Sequence, residues 1–238
     1  MINITPPIVV KGLYSIRSRL QGQARKPAPS DYSALANPLE VPVQVEAYLL
    51  CRDKYLKTSD IVLDVGFGLG FGLQIMAAKV KNLIGVEVDQ RAVERARRIF
   101  EGHPRVKKVM LYDGKHLRFR DKTFDAVTCV EIIEHVEDYK GLLLEMARVS
   151  RRLVFISTPN RRPENTLPDG SPKNYWHLRE FTKDDLDTIL NQITGIRYEQ
   201  NFLDLSQDGQ WRWHDTVSPD TRSLVPVLFV SDSGGWRS

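Results

Sequence analysis

A chain of 238 residues has room for one domain of ordinary size with decorations, and for a sizeable core. With 42% hydrophobic and 27% charged residues it reads as a soluble globular protein, and no apolar run is long enough to cross a bilayer. The net charge of +4 is only mildly basic and leaves the class of partner open.

The basic residues cluster in three places: Arg17, Arg19, Arg25 and Lys26; Lys115, His116, Arg118, Arg120 and Lys122; and Arg161 with Arg162. Each cluster could meet an anionic substrate, but any single one reads first as solvated surface. The N-terminal MINITPPIVVKGLYS lacks a charged region ahead of a long apolar core, so it is not read as a signal peptide. Cys51 and Cys129 make neither a metal pattern nor a disulfide framework, and a cytoplasmic protein is expected.

In chain order, residues 1–38 carry Pro6, Pro7, Pro27, Pro29 and Pro38 with little periodicity, and an irregular arm is expected. Pro42 suits the first turn of a helix running to about Lys57; Tyr32 and Tyr48 are candidate lid residues, with simple packing the favoured reading for both. The expected division is an arm and lid helix over 1–56 and the main domain over 57–238. Ile61, Val62, Leu63 and Val65 have the β-branched, continuously apolar character of a strand buried on both faces. Gly66, Gly68, Gly70 and Gly72 follow, and a helix is predicted over Leu69–Val80. Strand, glycine turn and helix start a βαβ unit whose backbone can approach a nucleoside closely.

Spacing decides against a dinucleotide. The G-x-G-x-x-G pattern needs a third glycine where this chain has Phe71 or Leu73, depending on the register. A second strand, Leu83–Val88, ends in Glu87, about 20 residues beyond the glycines, where a carboxylate can accept hydrogen bonds from both ribose hydroxyls. Asp89 reads as the cap of a helix over Arg91–Phe100. A third strand, Val106–Tyr112, leads to Asp113-Gly114, and a fourth, Phe124–Val130, runs into Glu131-Ile132-Ile133-Glu134-His135. On a helical turn the i, i+3, i+4 spacing gives Glu131, Glu134 and His135 a common face, able to hold a divalent ion or move a proton.

A helix over Tyr139–Val149 and a fifth strand, Leu153–Thr158, come next, followed by a long loop to Asn174. Loops of that length in a compact domain are usually functional. Thr182 is a plausible N-cap for a helix over Lys183–Asn191, and two last strands are expected at Gly195–Leu205 and Leu224–Val230. The polar insert between them carries Trp211, Trp213 and His214, and Ser231–Ser238 reads as frayed.

The string D-V-G-F-G-L-G resembles the first motif of class I S-adenosylmethionine-dependent methyltransferases, and the element order matches that family from about Lys57 to Val230. The resemblance implies an α/β fold, a Rossmann-like seven-stranded mostly parallel sheet with the last strand antiparallel and helices on both faces. It implies S-adenosylmethionine as cofactor, bound by Asp64, Gly66, Gly68, Gly70, Glu87, Asp113 (toward the adenine) and Glu131.

EIIEHV, STPN and YWHLREFT in that order resemble the type 11-like bacterial enzymes acting on sugars, lipids, quinones and other small molecules. A hydroxyl acceptor would then lose its proton to His135 or His177, with no metal assigned. The same positions also resemble small-RNA 2′-O-methyltransferases, where Glu131, Glu134, His135 and His177 would surround a metal. Arg179 and Phe181 depart from that pattern, and no accessory RNA-binding domain is evident. A non-catalytic partner subunit of the same fold is the third reading.

Overall fold

The computed structural model describes residues 40–236. The proline-bearing arm, Tyr32 and the cluster of Arg17, Arg19, Arg25 and Lys26 lie outside the described residues.

Helix α1 (Glu40–Leu50) runs on through a π-helical turn, Cys51–Tyr55. The sheet and its crossovers follow: β1 (Ile61–Val65), α2 (Phe71–Ala77), β2 (Asn82–Glu87), α3 (Gln90–Ile99), β3 (Val106–Leu111), β4 (Phe124–Val130), α4 (Tyr139–Val149) and β5 (Ser150–Pro159). The chain closes with α5 (Lys183–Leu190), β6 (Ile193–Leu205), β7 (Trp211–His214) and β8 (Thr221–Trp236). Strand order is β3-β2-β1-β4-β5-β8-β6-β7. The first five of these pair in parallel, while β8 runs antiparallel to both β5 and β6.

The sheet reverses its winding between β1 and β4, and a ligand of an open α/β sheet binds at the carboxyl ends of strands flanking such a switch. The apolar β1, β4 and β5 are buried on both faces. One face packs on α1, α2 and α3 through Tyr48, Leu73, Met76 and Val93; the other packs on α4 and α5 through Leu142, Met146 and Leu186.

Several boundaries differ from the sequence reading. The sheet has eight strands, not seven, because Trp211–His214 pairs antiparallel with β6 from Phe202↔His214 to Leu205↔Trp211. The chain from residue 231 to 236 is not frayed: it continues β8 to the pairs Thr194↔Gly235 and Ile193↔Trp236. Ser, Asp and Gly are poor strand formers, and here the long β6 supplies a ladder that local propensity does not announce. Helix α2 is shorter than Leu69–Val80, since Gly70 sits ahead of it in the left-handed region at φ 86°. Asp89 caps α3 by accepting from Arg91 N, and Thr182 with Asp185 forms a capping box on α5, as the sequence suggests.

Tyr48 is not an exposed lid. It is 4% exposed and packs on Gly72, and its hydroxyl donates to Asp64 at 3.0 Å. A Cβ at position 72 would lie far inside van der Waals contact with Cζ of the Tyr48 ring. Gly72→Ala is therefore expected to cost about 1–3 kcal/mol by overpacking. Urea unfolding would measure it, and an unchanged midpoint would mean that the ring moves aside freely.

Candidate functional site

The glycine turn leaves β1 with Gly66 at φ 75°, a conformation that side chains rarely adopt. Gly66 N donates to Val86 O at 2.8 Å, and a Cβ on Gly66 would strike the side chain of Ile132. The turn is thus clamped between β2 and the segment that leaves β4.

Glu87, at the end of β2, is 4% exposed. Its Oε2 accepts from Gly68 N at 2.9 Å, and its Oε1 accepts from Val88 N at 2.7 Å and Asp89 N at 3.1 Å. Burial pushes its pKa up, and these three N–H donors pull against that shift. Asp113 lies beyond β3, next to this strand end, where Tyr112 N donates to Glu87 O at 3.0 Å. Its carboxylate accepts from His116 N at 2.7 Å and Lys115 N at 2.9 Å, and these bonds hold its pKa down at about 2. Asp64 lies fully buried beneath the glycine turn, with Thr128 Oγ1 donating at 2.7 Å alongside Tyr48. Burial raises its pKa to about 7 against those two bonds.

The segment after β4 does not form the single helical face that its spacing suggests. Glu131 stands before the turn with φ 55°, and its Oε1 accepts from Ser157 Oγ at 2.8 Å and Ser223 Oγ at 2.9 Å. Glu131 therefore ties the end of β4 to β5 and β8, and burial pushes its pKa up to about 7. A 3-10 turn, Ile133–His135, then carries the fully buried Glu134, whose Oε2 accepts from Thr158 Oγ1 at 2.9 Å. Glu134 Oε1 receives no hydrogen bond and stands 3.6 Å from His135 Nε2. Leu178 N donates to Glu134 O at 2.9 Å, which brings the Trp176–Glu180 segment onto the turn.

His135 and His177 meet there edge to face, with ring centroids 5.0 Å apart. The acceptors around them set their tautomers. His135 Nδ1 lies 2.8 Å from Trp176 O, so Nδ1 carries the proton and Nε2 is the basic nitrogen. His177 Nδ1 faces Glu180 Oε1 at 2.7 Å, and its Nε2 lies 2.9 Å from Asn174 Nδ2. The His177 side chain is 8% exposed against 30% for His135. Ligand atoms of Glu134, His135 and His177 lie within 4.8 Å of one another, a donor set chemically suited to a divalent cation. Glu131 is not part of that donor set, although its carboxyl lies within electrostatic reach of Glu134.

Of the residues the sequence points to, Gly66, Gly68, Glu87 and Asp113 converge on the carboxyl ends of β1, β2 and β3, with Asp64 below them. His135 and His177 converge beyond β4 and β5. Glu180, Asn174 and Ser223 were not singled out. Only Glu180 leaves a trace, three residues after His177, and without the fold that spacing is indistinguishable from a surface pair.

A switch-point glycine turn, an acid at the end of β2 and an imidazole pair beyond β4 thus line the sheet edge at which open α/β folds bind ligands. Residues 63–155 match the family described as a methyltransferase domain. S-adenosylmethionine is the cofactor of that family.

A probable S-adenosylmethionine-dependent methyltransferase of Mycobacterium tuberculosis is 35% identical over 135 residues, covering 56% of this chain and 47% of that protein. A ubiquinone biosynthesis O-methyltransferase of Nitrosomonas europaea is 32% identical over 109 residues, covering 44% of this chain and 46% of that one. The chain thus spans about half the length of the curated relatives it matches. Among solved structures, a SAM-dependent methyltransferase, possible histamine N-methyltransferase, of Thermotoga maritima superposes with TM-score 0.62 at 17% identity, covering 84% of this chain and 98% of that one. That likeness concerns the fold. Among the described residues, no helix is long and apolar enough to cross a membrane.

Proposed function

We propose that the protein transfers the methyl group of S-adenosylmethionine to a hydroxyl of a sugar, lipid or other small molecule. The observation that carries this reading is the packing of Ile132 on Gly66, which sets the turn bearing His135 directly against the cofactor loop. Ribose hydroxyls would bind Glu87, the adenine edge would lie at Asp113, and the sulfonium methyl would face the segment after β4. The reaction is in-line displacement: the acceptor oxygen forms a bond to the methyl carbon as the carbon–sulfur bond breaks, and S-adenosylhomocysteine leaves. Alignment supplies most of the acceleration, because the leaving group is already activated.

His135 is the base in this proposal. Its Nδ1 is anchored on Trp176 O, so Nε2 receives the hydroxyl proton. His177, held by Glu180 and Asn174, packs edge-on against the His135 ring and orients it. O-methylation is also the chemistry named for the ubiquinone-biosynthesis relatives, which supports a hydroxyl acceptor. A cytoplasmic setting is part of the proposal, in keeping with the free, buried Cys51 and Cys129.

The test is methyl transfer from labelled S-adenosylmethionine to a panel of hydroxylated acceptors. His135→Gln is expected to lower kcat about a hundredfold, the scale of general-base catalysis, with S-adenosylhomocysteine affinity within about twofold. An unaltered kcat would remove His135 from the chemistry.

A metal-dependent 2′-O-transfer to RNA is favoured by one observation, the convergence of Glu134, His135 and His177. Activity on RNA that is lost in chelator and restored by Mn²⁺ would establish it over the small-molecule reading.

A further inference from the structure

The loop after β5 brings two arginines together beside the histidine pair. Pro159 pairs with Ser223 and Asn160 N donates to Arg222 O at 2.9 Å, so the end of β5 lies against the start of β8. Arg162 follows two residues later. Its side chain is only 13% exposed, and it lies within electrostatic reach of Arg222. Two guanidinium groups this close repel, and both are incompletely satisfied: among the described residues, the buried Nε atoms of Arg162 and Arg222 have no hydrogen-bond partner.

The carboxylate that acts on both of them, Glu164, is exposed: it pairs with Arg162 and lies within electrostatic reach of Arg222. Arg161 pairs with Asp185 at 3.2 Å, and Arg162 Nη1 pairs with the exposed Glu164. Arg222 has no ion pair among the described residues. On its other side Arg162 lies within electrostatic reach of Glu180, the carboxylate that holds His177. Through Arg162 and Glu180 the cationic pair therefore lies beside the histidine pair. Arginine forks carry their N–H donors in the geometry that matches phosphate and carboxylate oxygens.

We propose that Arg162 and Arg222 form an anion-binding subsite that takes a phosphate or carboxylate group borne by the methyl acceptor. The assignment to the acceptor rests on the methyltransferase function proposed above; the anion site itself does not. It narrows the substrate class to an anionic hydroxyl compound, with the anion seated beside the histidine pair to aim the hydroxyl at the methyl.

The test titrates the full chain with inorganic phosphate and, in a second arm, with acetate, by calorimetry at ionic strength matched with sodium chloride. Phosphate is expected to bind the wild type and to bind Arg222→Gln and Arg162→Gln at least about tenfold more weakly. Arg161→Gln, whose guanidinium is already paired, should stay within about twofold of wild type. Acetate binding as tightly as phosphate and lost in the same variants would mark a carboxylate site; preference for phosphate would mark a phosphate site.

Equal phosphate affinity in wild type and Arg222→Gln, or no binding to the wild type, would overturn the proposal. Should Arg222→Gln not fold, Arg222→Lys keeps the charge without the fork and is expected to lose affinity severalfold; an unchanged affinity there would overturn it too. S-adenosylhomocysteine titrated into the same samples separates the two ideas. Phosphate binding without it would sink the methyltransferase reading alone, and the converse would sink only the anion subsite.

Discussion

Glu87→Ala is expected to weaken S-adenosylhomocysteine binding at least about a hundredfold, whereas His177→Ala should change it less than about fivefold. A carboxylate accepting from both ribose hydroxyls makes two charge-assisted hydrogen bonds worth roughly 1.5–3 kcal/mol each, and each 1.4 kcal/mol is a factor of about ten in affinity. The side chain also does structural work, since its two oxygens take the N–H groups of Gly68, Val88 and Asp89. Without it the glycine turn loses its tie to β2 and three donors lose their acceptor. His177 lies beyond β4 and β5, held by Glu180 and Asn174, and reaches the cofactor only through His135. Calorimetric titration of both variants decides this. Comparable losses would contradict the separation of a cofactor edge from an acceptor edge.

The residues assigned to the two proposed edges are legible in the sequence for a physical reason. Buried parallel strands must be apolar throughout, so β1, β2 and β4 stand out as runs, and the residues at their carboxyl ends are the ones that meet a ligand. Gly66, Asp113 and Glu131 are found by reading the residue after the run ends, and Glu87 by reading the acid at the end of its run. What was not legible depends on contacts between distant segments. Glu131 and Glu134 share a helical spacing, yet a left-handed backbone at Glu131 sends its carboxylate to Ser157 and Ser223. No periodicity encodes that. Glu180 acquires its role only when Leu178 N docks on Glu134 O. Arg222 carries no local signal at all: its place beside Arg162 follows from the antiparallel pairing of β5 with β8 across more than half a hundred residues of intervening chain. The strand β7 and the end of β8 were missed because their pairing partner, β6, is what makes them strands.

Asp64→Asn is expected to flatten the dependence of stability on pH between about pH 4 and pH 7. Asp64 is fully buried, and burial raises its pKa from 3.8 to about 7 despite the bonds from Thr128 and Tyr48. The folded protein therefore holds this proton more tightly than the unfolded chain does. Stability from that proton is complete below the unfolded pKa near 4, and it drains away as pH rises through the folded value near 7. A shift of this size corresponds to about 4 kcal/mol at about 1.4 kcal/mol per pH unit, and the slope vanishes above pH 7. Asparagine keeps a carbonyl oxygen for the Tyr48 and Thr128 hydroxyls but carries no charge at any pH. Glu131 and Glu180, also raised to about 7 by burial, give slopes of the same sign in both proteins, so the difference between variant and wild type isolates Asp64. Urea unfolding at pH 5 and pH 8 should show the variant gaining on the wild type as pH rises; parallel curves would mean that Asp64 is ionised at no unusual cost. The location of this costly carboxylate is instructive. It lies under the glycine turn, braced by a tyrosine from α1 that packs on Gly72. A buried acid that holds two hydroxyls fixes the relative positions of α1, β1 and β4, the three elements around the glycine turn.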